Sequence, residues 1–207
     1  MIQTHDQKLT QVYQHIKKIQ AVPQSEWKSQ EKFKSLGTES FSYKDADFSE
    51  VATYKAEGIV NQSLEKIKKE LNDLTPEERM QNDKSIKKCQ LIQVTPQGNK
   101  IMLEERNVPV ISDRQILVIA GVFDKTDDSV TIVSTSIEDE NLAPQEKGKV
   151  RAKNNYSMFK LEKISENQTK VTTMFNTDPA GSVPGFMKSK MGNKRIEKIF
   201  TMIQGAK

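Results

Sequence analysis

From position 86 to 178 apolar and polar residues change places over short runs, and turn signals cut the runs apart. That period suits strands rather than helices. Runs over 87–95 and 100–107 flank Pro96-Gln97-Gly98-Asn99, those over 114–124 and 129–138 flank Lys125-Thr126-Asp127-Asp128, and those over 150–164 and 170–177 flank a spacer at 165–168. The spacing predicts six strands joined as hairpins in an antiparallel meander. The sequon Asn167-Gln168-Thr169 falls in the last of these turns.

The flanking pattern is different. Leu9, Val12, Tyr13, Ile16 and Ile19 recur at helical spacing, which predicts an amphipathic helix over 4–20 that ends before Pro23. A looser stretch holds Trp27 and Phe33, and strands are expected over 38–45 and 51–60. Ser63 can cap a helix whose Leu64, Ile67 and Leu71 share a face. Thr75-Pro76-Glu77-Glu78 then combines a capping threonine, a first-turn proline and a capping-box glutamate, a second helix start. At the far end the last strand stops at Asp178-Pro179, Gly181 marks a turn, and Pro184 opens a helix running to about 204. This order is α+β with the helices segregated. A long curved sheet has one face to bury, and the terminal helix is the one late element able to cover it.

Charge refines the picture at one place. The 207 residues carry a formal net charge of +4, but lysines mostly alternate with acids along the chain. The exception begins at Val183, after which Lys188, Lys190, Lys194, Arg195, Lys198 and Lys207 face Glu197 alone. Charge this local marks a face, not a nucleic-acid binder. The apolar run 116–123 is too short to span a bilayer, and residues 1–20 have no signal-peptide pattern. A single cysteine, Cys89, precludes an intrachain disulfide and fits a reducing compartment, so a cytoplasmic location is expected.

Four fragments, each in its own element, carry a family likeness. They are Tyr54-Lys55-Ala56-Glu57-Gly58 on an early strand, Pro109-Val110-Ile111-Ser112-Asp113-Arg114 before a central one, Lys147-Gly148-Lys149-Val150-Arg151-Ala152 after the long loop, and Asp178-Pro179-Ala180-Gly181-Ser182-Val183-Pro184 before the terminal helix. In this order they resemble the START domain, the lipid-transfer module related to steroidogenic acute regulatory protein. The resemblance runs from about Trp27 to Gln204. It implies one domain over 1–207, with an N-terminal helix and connector over 1–26 and a lid helix over 184–204. It also implies a helix-grip fold, in which a curved antiparallel β-sheet wraps a long C-terminal α-helix around a hydrophobic tunnel for one lipid. The implied function is non-enzymatic binding and transfer, without metal or cofactor, by a monomer.

The likeness also bears on the ligand. Arg79 and Asp83, four apart on a helix, match the pair that meets phosphate in the phosphatidylcholine-binding members; the tryptophan usual just before that aspartate is Asn82 here. The aromatic positions that cage choline there are Leu103, Ile116 and Asn155, and the buried arginine of many sterol binders is Ala120. A phospholipid is therefore favoured over a sterol. Leu103, Ile116, Val118 and Ala120 are the expected wall positions on the sheet. On the terminal helix Met187, Met191, Ile199 and Ile203 form an i,i+4 row, with Ile196 and Phe200 beside it. Part of that row is expected to face lipid and the rest plain core. Gly192 and Asn193 interrupt the row and are expected to kink or loosen the helix. Lys194, Arg195 and Lys198 are the expected docking cations for an anionic membrane surface, with Arg195 reaching out to solvent. Arg114 and Arg151 are expected to be structural, Arg114 by satisfying loop carbonyls.

Two other functions compete with the carrier. A helix-grip enzyme or binding protein for a hydrophobic small molecule would need a minimal polar site. His5 and His15 lie ten apart on the first helix, far in sequence from Cys89, and there is no phosphate loop or Cys-x-x-Cys. A scaffold domain would have filled its tunnel with side chains.

Overall fold

The computed structural model of the protein describes residues 2–45, 48–107, 112–181 and 183–205, with the backbone alone for Ile2, Gln3, Thr4 and Ser189. Helix α1 (Ile2–Gln20) is followed by strands β1 (Lys28–Phe33), β2 (Thr38–Tyr43) and β3 (Thr53–Val60). Helix α2 (Leu64–Lys68) continues into one π turn, and α3 (Pro76–Asn82) follows. Strands β4 (Ile86–Val94), β5 (Lys100–Arg106), β6 (Arg114–Phe123), β7 (Ser129–Ser136), β8 (Val150–Arg151), β9 (Lys153–Ser165) and β10 (Gln168–Asp178) precede α4 (Gly185–Gln204). The sheet order is β1-β2-β3-β10-β9-β7-β6-β5-β4, and the short β8 pairs in parallel with β6. The six-strand meander is therefore present, and β10 joins it to the early strands through β3.

Strand alternation divides the sheet into two apolar faces. Leu117 and Ile119 of β6, Ile101 and Leu103 of β5 and Met174 of β10 pack on the side that α1 covers with Leu9, Tyr13, Ile16 and Ile19. The neighbour of Met174, Phe175, points to the other side, where Ile196, Ile199, Phe200 and Ile203 of α4 meet Tyr54, Ala56 and Val60 of β3. α4 thus lies across the second face, as its amphipathic pattern requires.

The caps form as their residues demand. Ser63 Oγ accepts from Lys66 N, and Thr75 and Glu78 make both halves of a capping box. Three details differ from the sequence reading, the first being that the run 150–164 is split at Ala152 into β8, parallel to β6, and β9. β1 is a strand, and its burial runs almost entirely exposed except at Phe33; an edge strand of this kind shows no apolar alternation to detect. α4 runs unbroken through Gly192 and Asn193. A Cβ at Gly192 would sit 2.6 Å from the Tyr54 ring, so this glycine lets the helix approach β3 closely and does not loosen it. Asn193 Oδ1 accepts from Ser40 Oγ at 3.0 Å, a second tie to the sheet.

Candidate functional site

Between α4 and the sheet lies a cavity of about 340 Å3, within the size range of ligand pockets. Its wall begins with one face of β5 and β6. Lys100, Met102, Glu104 and Arg106 alternate along β5 and lie opposite Ala120, Val118, Ile116 and Arg114 of β6. Ile86 of β4, Ile132 of β7, Phe159 of β9, Met191, Ile199 and Met202 of α4, and Leu71 and Leu74 beyond α2 extend the apolar part.

One end of the cavity is charged. Glu104, buried at 7% exposure, is the centre of this end. One of its oxygens accepts from Arg79 Nε and Nη2 at 3.1 and 2.7 Å. The other accepts from Arg106 Nε and Nη2 at 2.9 and 2.7 Å. Arg106 Nη1 also reaches Asp83 at 2.8 Å, and Lys198 of α4 reaches the other oxygen of Asp83 at 2.5 Å. Burial works against ionisation of Glu104, but Arg106 and Arg79 outweigh it and hold its carboxyl below the usual range. Burial opposes the charge on Asp83 as well; Lys198, Ser85 and Arg106 outweigh it and hold the group far below the usual range.

Arg195 enters from α4. Its Nη1 donates to Thr177 Oγ1 at 2.7 Å and its Nη2 to Ser157 Oγ at 2.8 Å, and the guanidinium lies 4.3 Å from the centre of the Phe175 ring. Removal from water, with Arg106 nearby, pulls this group down to about 10, so it remains protonated at neutral pH. Arg114 is held differently: Nε and Nη2 donate to the carbonyls of Pro179 and Ala180, and Nη1 to the carbonyl and hydroxyl of Ser112. It ties the segment before β6 to the turn before α4, the loop-satisfying role its position implies. Arg151 donates to the carbonyls of Ala143 and Pro144.

The residues singled out in the sequence fall into two groups. Arg79, Asp83, Ile116, Val118, Ala120, Met191 and Ile199 line the cavity. Leu103 does not, because period-two alternation turns it with Ile101 toward α1 and leaves Met102 and Glu104 facing the cavity. Ile203 packs into the apolar cluster under α4, and Met187 is half-buried outside the cavity lining. Arg79 and Asp83 share the charged end without pairing with each other; each is taken by a β5 partner. The docking trio separates as well. Lys194 is exposed, Lys198 is exposed but tied to Asp83, and Arg195 points inward, since its row on α4 is the row that faces the sheet. The fragment Pro109-Val110-Ile111 lies outside the described residues.

Sequence reasoning missed Glu104, Arg106 and the inward aim of Arg195. No local signal marks the first two: Glu104, Glu105 and Arg106 put charge on both faces of the strand, and its pairing with β6 turns Glu104 and Arg106 to the cavity. Elsewhere, His5 Nε2 pairs with Asp139 at 3.0 Å, and His15 stacks on Phe48 at 3.8 Å, both across the sheet from the cavity. Burial pushes the Cys89 thiol up to about 11. Among the described residues no group of His, Cys, Asp and Glu could hold a metal ion, and no helix is long and apolar enough to cross a membrane.

A curved antiparallel sheet that grips a long C-terminal helix around an apolar cavity is the helix-grip fold. The START domain family model matches residues 7–206, and the chain belongs to that family. Lipid binding is the general function that this membership carries. Human StAR-related lipid transfer protein 5 has a similar structure, with a TM-score of 0.85 and 19% identity over 100% of this chain and 97% of that one. The lipid transfer and protein localization domain of human StarD13 is also similar, with a TM-score of 0.73 and 18% identity over 96% of each chain. A bacterial relative in structure is a fragment of the STAR-related lipid transfer protein from Xanthomonas axonopodis, with a TM-score of 0.64 and 18% identity over 87% of this chain and 96% of that one. At these identities the likeness speaks for the fold. Comparison with curated protein sequences finds no match.

Proposed function

We propose that the protein is a non-enzymatic, cytoplasmic carrier that holds a single amphipathic lipid under α4 and moves it between membranes, taking phospholipid in preference to sterol. The charge balance of the cavity wall carries this reading. Five cations, Arg79, Arg106, Arg114, Arg195 and Lys198, line its charged end against Asp83 and Glu104, with an apolar wall beyond and Lys100 at the far end of β5. Such an end suits a phosphate better than a lone hydroxyl. Ala120 offers no polar side chain at the position of the sterol-type arginine. The histidines and Cys89 stand outside the cavity lining, which supports a carrier rather than an enzyme. Vesicle-to-vesicle transfer of labelled phosphatidylcholine, phosphatidic acid and cholesterol tests the preference. Cholesterol moved as fast as either phospholipid would defeat it.

Release of a lipid requires a membrane, and the docking reading needs a new location. With Arg195 inside and Lys198 tied to Asp83, the second half of α4 retains Lys194 and loses the trio. The first turn of α4 carries Phe186, exposed at 76%, close to the exposed Lys190. An aromatic side chain beside a cation suits insertion at an anionic interface. Burying one such side chain is worth roughly 1.5–3 kcal/mol, so Phe186→Asp is expected to slow transfer from anionic vesicles by about tenfold or more. Lipid already bound should be retained equally by variant and parent. An unchanged transfer rate would place docking elsewhere.

A further inference from the structure

The cations that line the cavity are not equivalent. Arg79, Arg106, Lys198 and Lys100 each reach a carboxylate, and Arg114 is wrapped by carbonyls. Among the described residues, Arg195 has no carboxylate in ion-pair range; its two hydrogen bonds end on hydroxyls. The direction of that network is forced. A guanidinium can only donate, so Thr177 and Ser157 accept from it and pass their own protons to one atom, Asn154 Oδ1, at 3.0 and 2.8 Å. Asn154 Nδ2 in turn donates to Ser134 at 3.3 Å. Every group in this chain is neutral. It fixes the guanidinium without compensating its charge.

Two of the five N–H groups of Arg195 are used, and the remaining three have no acceptor among the described residues. A partly buried cation with no carboxylate in ion-pair range and incomplete hydrogen bonding is a ready receptor for an anion, and Glu104 acts on it only from beyond that range. Arg79 offers less room for one, because its Nε and Nη2 both already rest on Glu104.

We propose that Arg195 is the receptor for the ionised acid group of an anionic amphiphile, a carboxylate or phosphate head on an apolar chain, which enters head first and is clasped between α4 and strands β9 and β10. The inference rests on the carrier reading and narrows its ligand to an acid. Because Arg195 rides on α4, an acid bound there also fastens the lid to the sheet.

Competition against a fluorescent apolar probe on the full chain tests it, with two acids, oleic acid and dioleoyl phosphatidic acid, and their uncharged counterparts, methyl oleate and dioleoylglycerol. An acid of the right source is expected to bind at least about tenfold tighter than its counterpart, the scale of hydrogen bonds to a charged group. The stronger acid identifies the source. Arg195→Gln should erase most of that advantage with less than about threefold change for the uncharged partner, and Arg195→Lys should keep part of it. Should the variants fail to fold, the side-chain Nε–H resonances of 15N-arginine-labelled parent chain serve instead. One of them should shift with the acid and stay with the ester. Acids that bind no tighter than their counterparts, an advantage that survives in Arg195→Gln, or no resonance that tells acid from ester would overturn the inference while the carrier stands. Failure of all four amphiphiles to bind would overturn both.

Discussion

Glu104→Gln is expected to lower the stability of the protein by about 3–5 kcal/mol, the scale of removing one partner from a buried ionic group. Each oxygen of Glu104 accepts two N–H groups, one arginine per oxygen, and the residue is nearly sealed from water. Glutamine keeps one acceptor oxygen and turns its amide N–H groups toward guanidinium donors, so Arg79 and Arg106 lose their common counter-charge. For a chain of this size the melting temperature should fall by on the order of 10 °C. The same cluster sets the acid limit of the fold. Glu104 and Asp83 are held below the ordinary carboxylate range in the folded protein, so each binds its proton more readily when unfolded. Their contribution is fully present above the ordinary carboxylate pKa of about 4 and is lost as the pH falls through the folded values. Urea unfolding at pH 7, 4 and 3 should show stability dropping in the parent, and the drop should be shallower in Glu104→Gln. Equal slopes would mean that Glu104 does not set the acid limit.

Phe200→Ala is expected to cost a similar amount, about 3–5 kcal/mol. Phe200 is fully buried, and its ring rests on Gly58 of β3, where a Cβ would come within 2.7 Å of it. Glycine at this strand position is what lets α4 sit so close to the sheet, and alanine at 200 would leave a hole that the rigid β3–β10 pair cannot fill. Because the loss falls on α4, hydrogen exchange should quicken along α4 more than along β9 and β10. Uniform quickening over all elements would mean that α4 does not open as a unit. The same contact explains the glycine of Tyr54-Lys55-Ala56-Glu57-Gly58 in physical terms: Tyr54 packs on Gly192, and Gly58 receives Phe200, so strand and helix exchange a glycine for a ring in both directions.

These contacts also show what the sequence could and could not reveal. The meander, the capping box at Thr75 and the helix over the sheet were legible because each is written in local periodicity or cap chemistry. β1 was not, since an exposed edge strand has no buried face to write a pattern. Ile116 and Ala120 were placed on the wall by likeness of position, since the unbroken apolar run 116–123 has no alternation to separate its two faces. Leu103 was assigned to the wrong face because a likeness of position, not the alternation of β5, placed it. The charged end was the hardest part. Arg79 and Asp83 share a helix at a spacing that suggests a pair, yet their partners come from β5, twenty or more residues away, and only the pairing of β5 with β6 turns Glu104 and Arg106 inward. Arg195 carried an ambiguous signal, for a long basic side chain on an amphipathic helix can reach solvent or fold under. Hydroxyls at Ser157 and Thr177, contributed by two other strands, decide which.

Native mass spectrometry of the full chain, after incubation with mixed vesicles of phosphatidylcholine, phosphatidic acid and cholesterol and removal of the vesicles, tests whether the space under α4 holds one lipid. A single adduct of one phospholipid per chain is expected, weakened in Arg195→Gln when the lipid is the acid. A folded chain that carries no lipid, or several at once without a fixed ratio, would contradict it.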